Sequence, residues 1–201
     1  MIDEEDLLLI FARNPVPGKV KTRLARAIGA DKALKVYLRL LEHSHKIADE
    51  LECSKRVCYT ESIDEFGLLD YFKFEKQLQE GDDLGDRMLN AFNTAFEDGF
   101  RRVVLIGSDC IELNSDILRD AFEGLITHDC VLGPATDGGY YLVGLNTMIT
   151  PLFENKKWST PDVLLDTLLD LQKADKSYVM LPTLNDIDTP EDFEKVQGLF
   201  A

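Results

Sequence analysis

Two apolar runs limit what this chain can become. Residues 7–12, LLLIFA, carry no polar side chain and stop at a Pro-containing loop; residues 102–107, RVVLIG, repeat the pattern behind a pair of arginines. A strand with one wet face alternates apolar and polar residues, whereas a strand apolar at every position has to be covered on both faces. Both runs therefore read as central strands of a sheet held between helices.

The segments between the strands supply those helices. From Thr22, the residues Leu24, Ala25 and Ile28 take helical spacing until Gly29 interrupts, and a longer amphipathic helix follows with Leu34, Leu38, Leu41 and Ala48 on one face. His43 and His45 on that helix read as surface or edge residues, since no other metal-type side chain recurs with them. Residues 56–60 form a short strand, residues 63–71 a weakly patterned helical stretch and residues 74–78 another strand. GDDLGDR, residues 81–87, punctuates the chain before a helix carrying Met88, Leu89, Phe92, Ala95 and Phe96. Ser115 or Asn114 caps the helix running to Ile126. Strands follow at 129–133 and 140–145, joined by the turn ATDGG, and the last lies at 178–181. Thr160-Pro161 and Thr189-Pro190 each place a capping residue before a proline, the signature of a helix start. The β-α-β-α order predicts one α/β sandwich domain over residues 1–201, built on a mainly parallel sheet. Ligands of such sheets collect at the carboxyl ends of strands, which singles out the loops after Ala12, after Gly107 and after Leu181.

Charge narrows the partners. With 37 acidic against 22 basic residues and a net charge of −15, the chain is a poor match for duplex nucleic acid or an anionic membrane surface. A polyanionic substrate would call for a divalent metal. MIDEEDLLLIFA has acidic flanks and a short apolar run, so it reads as neither a secretory signal nor a membrane span, and the expectation is a cytoplasmic protein. Cys53, Cys58, Cys110 and Cys130 form no CxxC pair and read as reduced, mostly buried thiols rather than a zinc site.

Against that acidic background, FARNPVPGKVKTRL (11–24) gathers Arg13, Lys19, Lys21 and Arg23 between a strand end and a helix start. Local basicity and the free N–H groups of a first helical turn both favour an anion, phosphate first. Gly18-Lys19 lacks the GxxxxGK[ST] spacing of a P-loop, and Pro15 and Pro17 remove two N–H donors. Phosphate contacts would therefore come from Lys19, Lys21 and Arg23, backed by the backbone near Gly18. GSDC (107–110) sets Asp109 just beyond a strand, where a carboxylate can hold Mg²⁺ or Mn²⁺ against a diphosphate or merely cap the turn. NDIDTPEDF (185–193) puts Asp186 and Asp188 on one side of an extended segment, and either can supply a second metal-facing carboxylate. In GPATDGGYYLVGL (133–145), Asp137 can bind a sugar hydroxyl, act as a base or sit in a plain hairpin turn, and Gly138-Gly139 lets backbone approach a ligand.

In order, PVPGKVKTRL (15–24), GDDLGDRM (81–88), IGSDCIEL (106–113), GPATDGGYYLVGL (133–145), WST (158–160) and DIDTPEDF (186–193) resemble the bacterial nucleotide-diphospho-sugar transferase-like family of the selenodomain-associated transferase 1 type. That family in turn looks like a member of the GT-A superfamily of glycosyltransferases and nucleotidyltransferases. The resemblance implies a three-layer α/β/α GT-A fold with a mostly parallel central sheet. It assigns Arg13, Gly18, Lys19, Lys21 and Arg23 to nucleotide phosphates, and Asp109 and Asp188 to a shared Mg²⁺ or Mn²⁺. It makes Asp137, Asp109 and Asp188 the catalytic set, and gives substrate or acceptor contacts to Asp83, Arg87, Gly138, Gly139, Trp158, Ser159 and Thr160. Departures are visible: SDC has one carboxylate where a full DxD motif has two, Ile111 replaces a common proline, and the first loop lacks Gly-x-Gly. The function implied is glycosyl transfer from a nucleotide sugar to a small-molecule acceptor, with Asp137 as the base. The alternative is a guanylyltransferase-like nucleotidyltransferase that releases pyrophosphate; a nucleotide-binding protein without turnover is a third class.

Overall fold

A computed structural model describes residues 2–63, 70–196 and 198. Its strands are β1 (Asp6–Ala12), β2 (Ser54–Tyr59), β3 (Glu75–Leu78), β4 (Arg102–Ile106), β5 (Cys130–Pro134), β6 (Tyr140–Leu145) and β7 (Tyr178–Met180). Its α-helices are α1 (Thr22–Ile28), α2 (Ala30–Asp49), α3 (Leu84–Glu97), α4 (Ser115–Thr127), α5 (Val163–Lys173) and α6 (Pro190–Val196). The strands form one sheet in the order β3-β2-β1-β4-β6-β5-β7. Every pairing is parallel except those of β6, which runs antiparallel to both β4 and β5. The neighbourhood of β1 and β4 is the switch point of the sheet, because the chain winds from β1 outward to β2 and β3 and then returns to β4 on the other side.

Every residue of β1 is buried, as its composition demands. Successive side chains point to opposite faces. Leu8, Ile10 and Ala12 join Tyr37, Leu41 and Ala48 of α2 and Leu118 and Phe122 of α4 in one core. Leu7, Leu9 and Phe11 join Met88, Phe92 and Ala95 of α3 and Leu171 of α5 in the other. These two cores make the three-layer sandwich. At the amino end of β1, Asp6 is fully buried and takes a two-point ion pair from Arg102 of β4, with Nε to Oδ1 at 2.6 Å and Nη2 to Oδ2 at 2.7 Å.

Local details depart from expectation. The buried stripe of α2 runs through Ala33, Val36, Tyr37, Leu40, Leu41, Ser44, His45, Ile47 and Ala48, leaving Leu34 and Leu38 half-buried at its border. His45 is a core residue rather than a surface one: Nδ1 lies 2.8 Å from the Leu41 carbonyl, and burial lowers its pKa. His43 is half-buried against the Leu113 carbonyl. Asn114, not Ser115, caps α4 by accepting from the Ile117 N–H. Thr160-Pro161 belongs to a turn, so α5 starts later, at Val163. The Thr189 cap holds, with its Oγ1 accepting from the Asp192 N–H at 3.2 Å. The helical stretch expected over 63–71 falls mainly on residues 64–69, outside the described residues; its described end is a 3-10 turn, Asp70–Phe72. All four cysteines are free and buried. Among the described residues, no helix is long and apolar enough to cross a membrane.

Candidate active site

The loop leaving β1 is held from two sides. The Tyr37 hydroxyl accepts from the Arg13 N–H and donates to the Arg13 carbonyl, both at 2.8 Å. Asn14 is buried and ties this loop to the one after β2: its Oδ1 accepts from the Glu61 N–H at 2.8 Å, and its Nδ2 donates to the Ser62 carbonyl at 2.8 Å. Within the loop, the N–H groups of Val16 and Lys19 donate to the carbonyls of Asn14 and Val16. Two of the loop's N–H groups are thus spent on its own turn, and the two prolines have none.

Lys21 ends this loop as the N-cap residue of α1, in the left-handed conformation at φ 48° and ψ 46°. A non-glycine residue held there costs about 1–2 kcal/mol, and such residues gather at functional sites. Its side chain is 2% exposed, and Nζ stands 2.8 Å from Asp109 Oδ1 and 2.9 Å from Asp188 Oδ1. Asp109 comes from the loop after β4, Asp188 from the segment after β7. The second position is set by Ile187, which is fully buried with Leu24, Ala33, Val36 and Leu40, and whose N–H donates to the Asp109 carbonyl at 3.0 Å. In an extended segment, inward Ile187 leaves Asp186 and Asp188 facing the other way.

Burial works to lower the Lys21 pKa, but Asp109 and Asp188 outweigh it and the pKa ends above its ordinary value. The Lys21 contact with Asp188 has hydrogen-bond geometry, whereas Asp109 Oδ1 is buried without a well-formed hydrogen bond. Asp186, which the sequence left as an alternative to Asp188, belongs to the same cluster. Its pKa is pushed up to about 7, by burial first and then by the charges of Asp109, Asp188 and Asp137, with Lys21 opposing.

The remaining basic residues divide. Lys19 pairs with Glu61 at 3.0 Å on the surface. Arg13 and Arg23 are exposed, with no side-chain ion pair among the described residues, and Gly18 is exposed at φ 77°. Asp137 is exposed, and its Oδ1 accepts from the Gly139 N–H at 2.9 Å. Gly138, at φ 92°, packs against the turn before α5 so closely that a Cβ would lie 2.1 Å from the Pro161 carbonyl oxygen. Its own carbonyl accepts from the Leu164 N–H.

Asp83, Arg87, Trp158, Ser159 and Thr160 lie around the start of α3 and the turn before α5. Asp83 caps α3 through the Asp86 N–H, and Arg87 Nε donates to the Gly81 carbonyl at 3.1 Å. Trp158 lies over Gly85, where a Cβ would fall 2.6 Å from its Nε1; that nitrogen is buried without a hydrogen-bond partner. Ser159 is exposed at φ 62°, and Thr160 Oγ1 donates to the Lys157 carbonyl at 2.9 Å. Composition alone gives no warning of Tyr37 or Asn14, which fix the loop.

The fold has solved relatives. A candidate nucleotide-diphospho-sugar transferase from Desulfovibrio desulfuricans G20 is 34% identical, with a TM-score of 0.85 over 92% of this chain and 83% of the other. An inositol-1-phosphate CTP transferase from T. maritima is 16% identical, with a TM-score of 0.61 over 96% and 94% of the two chains. CMP:2-keto-3-deoxy-manno-octonic acid synthetase, solved with CTP, is 13% identical, with a TM-score of 0.61 over 97% and 98%. The latter two establish the shared fold alone. No curated protein matches the sequence significantly. The model of a family described as an uncharacterized protein conserved in bacteria matches residues 43–160, more than half of the 201 residues, and the chain belongs to that family, DUF2064.

Proposed function

We propose that this chain is a metal-dependent glycosyltransferase whose donor is a nucleotide-diphospho-sugar. The observation that carries the reading is the meeting of Lys21, Asp109 and Asp188, delivered by three separate loops to the carboxyl edge of the sheet beside exposed Arg13 and Arg23. The description of the Desulfovibrio relative as a candidate nucleotide-diphospho-sugar transferase supports it.

The donor set suits a hard divalent ion, since Asp109 and Asp188 offer oxygens and Asp109 Oδ1 lacks a well-formed hydrogen bond. Among the described residues no group of three or more His, Cys, Asp or Glu is assembled for a metal, so nucleotide phosphates and water would complete the shell. Mg²⁺ or Mn²⁺ held by Asp109 and Asp188 would supply positive charge to the diphosphate leaving group. Arg13, Gly18, Lys19, Lys21 and Arg23 bind the phosphates in this reading. The acceptor hydroxyl attacks the anomeric carbon, the bond from that carbon to the diphosphate oxygen breaks, and Asp137 takes the hydroxyl proton. Gly138 and Gly139 shape the turn that presents Asp137, while Asp83, Arg87, Trp158, Ser159 and Thr160 line the acceptor side. The four free, buried thiols fit a reducing, cytoplasmic setting.

One observation favours the second reading, nucleotidyl transfer: Asp137 already spends an oxygen on Gly139, and an ionised phosphate attacking the α-phosphate of a nucleoside triphosphate needs no base. Products separate the two. Incubation with nucleotide sugars, nucleoside triphosphates and small acceptors, with Mg²⁺ or Mn²⁺, should release nucleoside diphosphate; pyrophosphate release would replace the first reading with the second.

A further inference from the structure

We propose that Lys21 is the resident cation of the Asp109–Asp188 pair, and that a divalent ion gains those carboxylates only when a nucleotide's phosphates draw the ammonium away. This rests on the reading that both aspartates face the metal. Metal and nucleotide then enter together, and metal alone binds poorly.

Lys21 already occupies one oxygen of each aspartate. Nζ stands at 2.8 and 2.9 Å from the two Oδ1 atoms. A Mg²⁺ ion bonds to carboxylate oxygens at about 2.1 Å, so sharing the same oxygens would press the ion against a buried ammonium, and the two like charges would repel even though the aspartates themselves are partly exposed. The ammonium is not a bystander there, because its side chain is 2% exposed and its backbone adopts the left-handed conformation. It is also movable, since a lysine carries its charge on a flexible four-carbon stem. An alternative anion has a place to arrive: Arg13 and Arg23 are exposed on the same loop and the helix it enters, without ion-pair partners among the described residues. A phosphate held there would give Lys21 a new partner while the vacated aspartates accept the metal. The unusual arrangement of a basic loop whose most buried cation faces carboxylates rather than solvent is then a means of keeping free metal out.

The test is Mn²⁺ binding to the full chain without nucleotide, followed by the resonance of free Mn²⁺. Wild type should bind weakly, Lys21→Met about tenfold or more tightly, and Lys21→Arg, which keeps the charge, as weakly as wild type. Wild-type Mn²⁺ affinity in folded Lys21→Met overturns the inference. Removing the ammonium leaves two aspartates facing each other, so thermal melting is measured in parallel with Lys21→Gln. Where a variant is destabilised, Mn²⁺ should raise its melting temperature and leave that of wild type unmoved; no rise overturns the inference. Adding Asp109→Asn to Lys21→Met separates the two layers. Tightened Mn²⁺ binding that survives Asp109→Asn removes the metal-facing assignment itself. Loss of transfer in Asp109→Asn, with Mn²⁺ affinity unchanged in Lys21→Met, keeps the transferase reading and discards the exchange.

Discussion

Asp129→Asn should loosen the far edge of the sheet and, with it, the segment that ends in Asp188. Asp129 stands at the entry to β5 and pins the entry to β7: its carboxylate accepts from Ser177 Oγ at 2.6 Å, from the Ser177 N–H at 2.9 Å and from Lys176 Nζ at 2.9 Å. The Ser177 hydroxyl first, then Lys176 and the Ser177 N–H, lower its pKa from 3.8 to about 2. That interval is worth about 2 kcal/mol before solvent screening. The carboxylate is 29% exposed, so solvent screening brings the expected effect to about 1–2 kcal/mol. The sign follows from linkage: a depressed carboxylate stabilises the folded state fully above the unfolded value of 3.8 and loses that contribution as pH falls toward about 2. Urea titrations of wild type and Asp129→Asn should therefore differ by about 1–2 kcal/mol at pH 6 and by less than half of that near pH 2.5. A difference that stays constant between these pH values, or vanishes at pH 6, would refute the assignment of β7 anchoring to the charged carboxylate.

Other positions give equally concrete expectations. Asp6→Ala takes the buried, two-point carboxylate from Arg102, leaving Asp3 at 3.9 Å, and should cost about 3 kcal/mol in urea unfolding; a loss below about 1 kcal/mol would mean that Asp3 and water replace the carboxylate at roughly no cost. Arg13→Ala and Arg23→Ala should each weaken nucleotide binding by about 1.5–3 kcal/mol in calorimetry, with stability changed by less than about 0.5 kcal/mol. Wild-type affinity in both would remove the exposed cations from the phosphate site. Gly138→Ala has to move either the Asp137 turn or Pro161, because φ is 92° and the new Cβ would sit 2.1 Å from the Pro161 carbonyl oxygen. Transfer activity should fall more steeply than the melting temperature, and an unaffected rate would show that the turn has no part in the chemistry.

Much of the fold is written in runs such as LLLIFA, whose residues divide between two cores as strictly as strand geometry requires. The direction of β6 is not carried by its own residues, which look like those of any buried strand. It was available from the connection: residues 135–139 are too few for the crossover that parallel neighbours need, so β5 and β6 must be antiparallel. His45 was similarly within reach, lying one helical turn beyond Leu41 on the buried face. Thr160-Pro161 misled because a capping dipeptide satisfies a turn equally well, and there its hydroxyl bonds back to Lys157. In the site, the sequence pairs Asp109 with Asp188 through a shared metal but sets Lys21 against phosphate, not against those carboxylates. An ammonium has no built-in preference between phosphate and carboxylate, and which anion it meets depends on loops that fold together from three parts of the chain.

That dispersal has a consequence for synthesis. A ribosome makes Lys21 before Asp109 and both before Asp188, and Ile187, which seats Asp188, docks against Leu24 and residues of α2 made long before it. A growing chain therefore carries Lys21 before either of its aspartate partners has been made. The cluster therefore closes only when the segment carrying Asp188 packs over α1 and α2, so its three members are brought together by tertiary folding and not by any local stretch of chain.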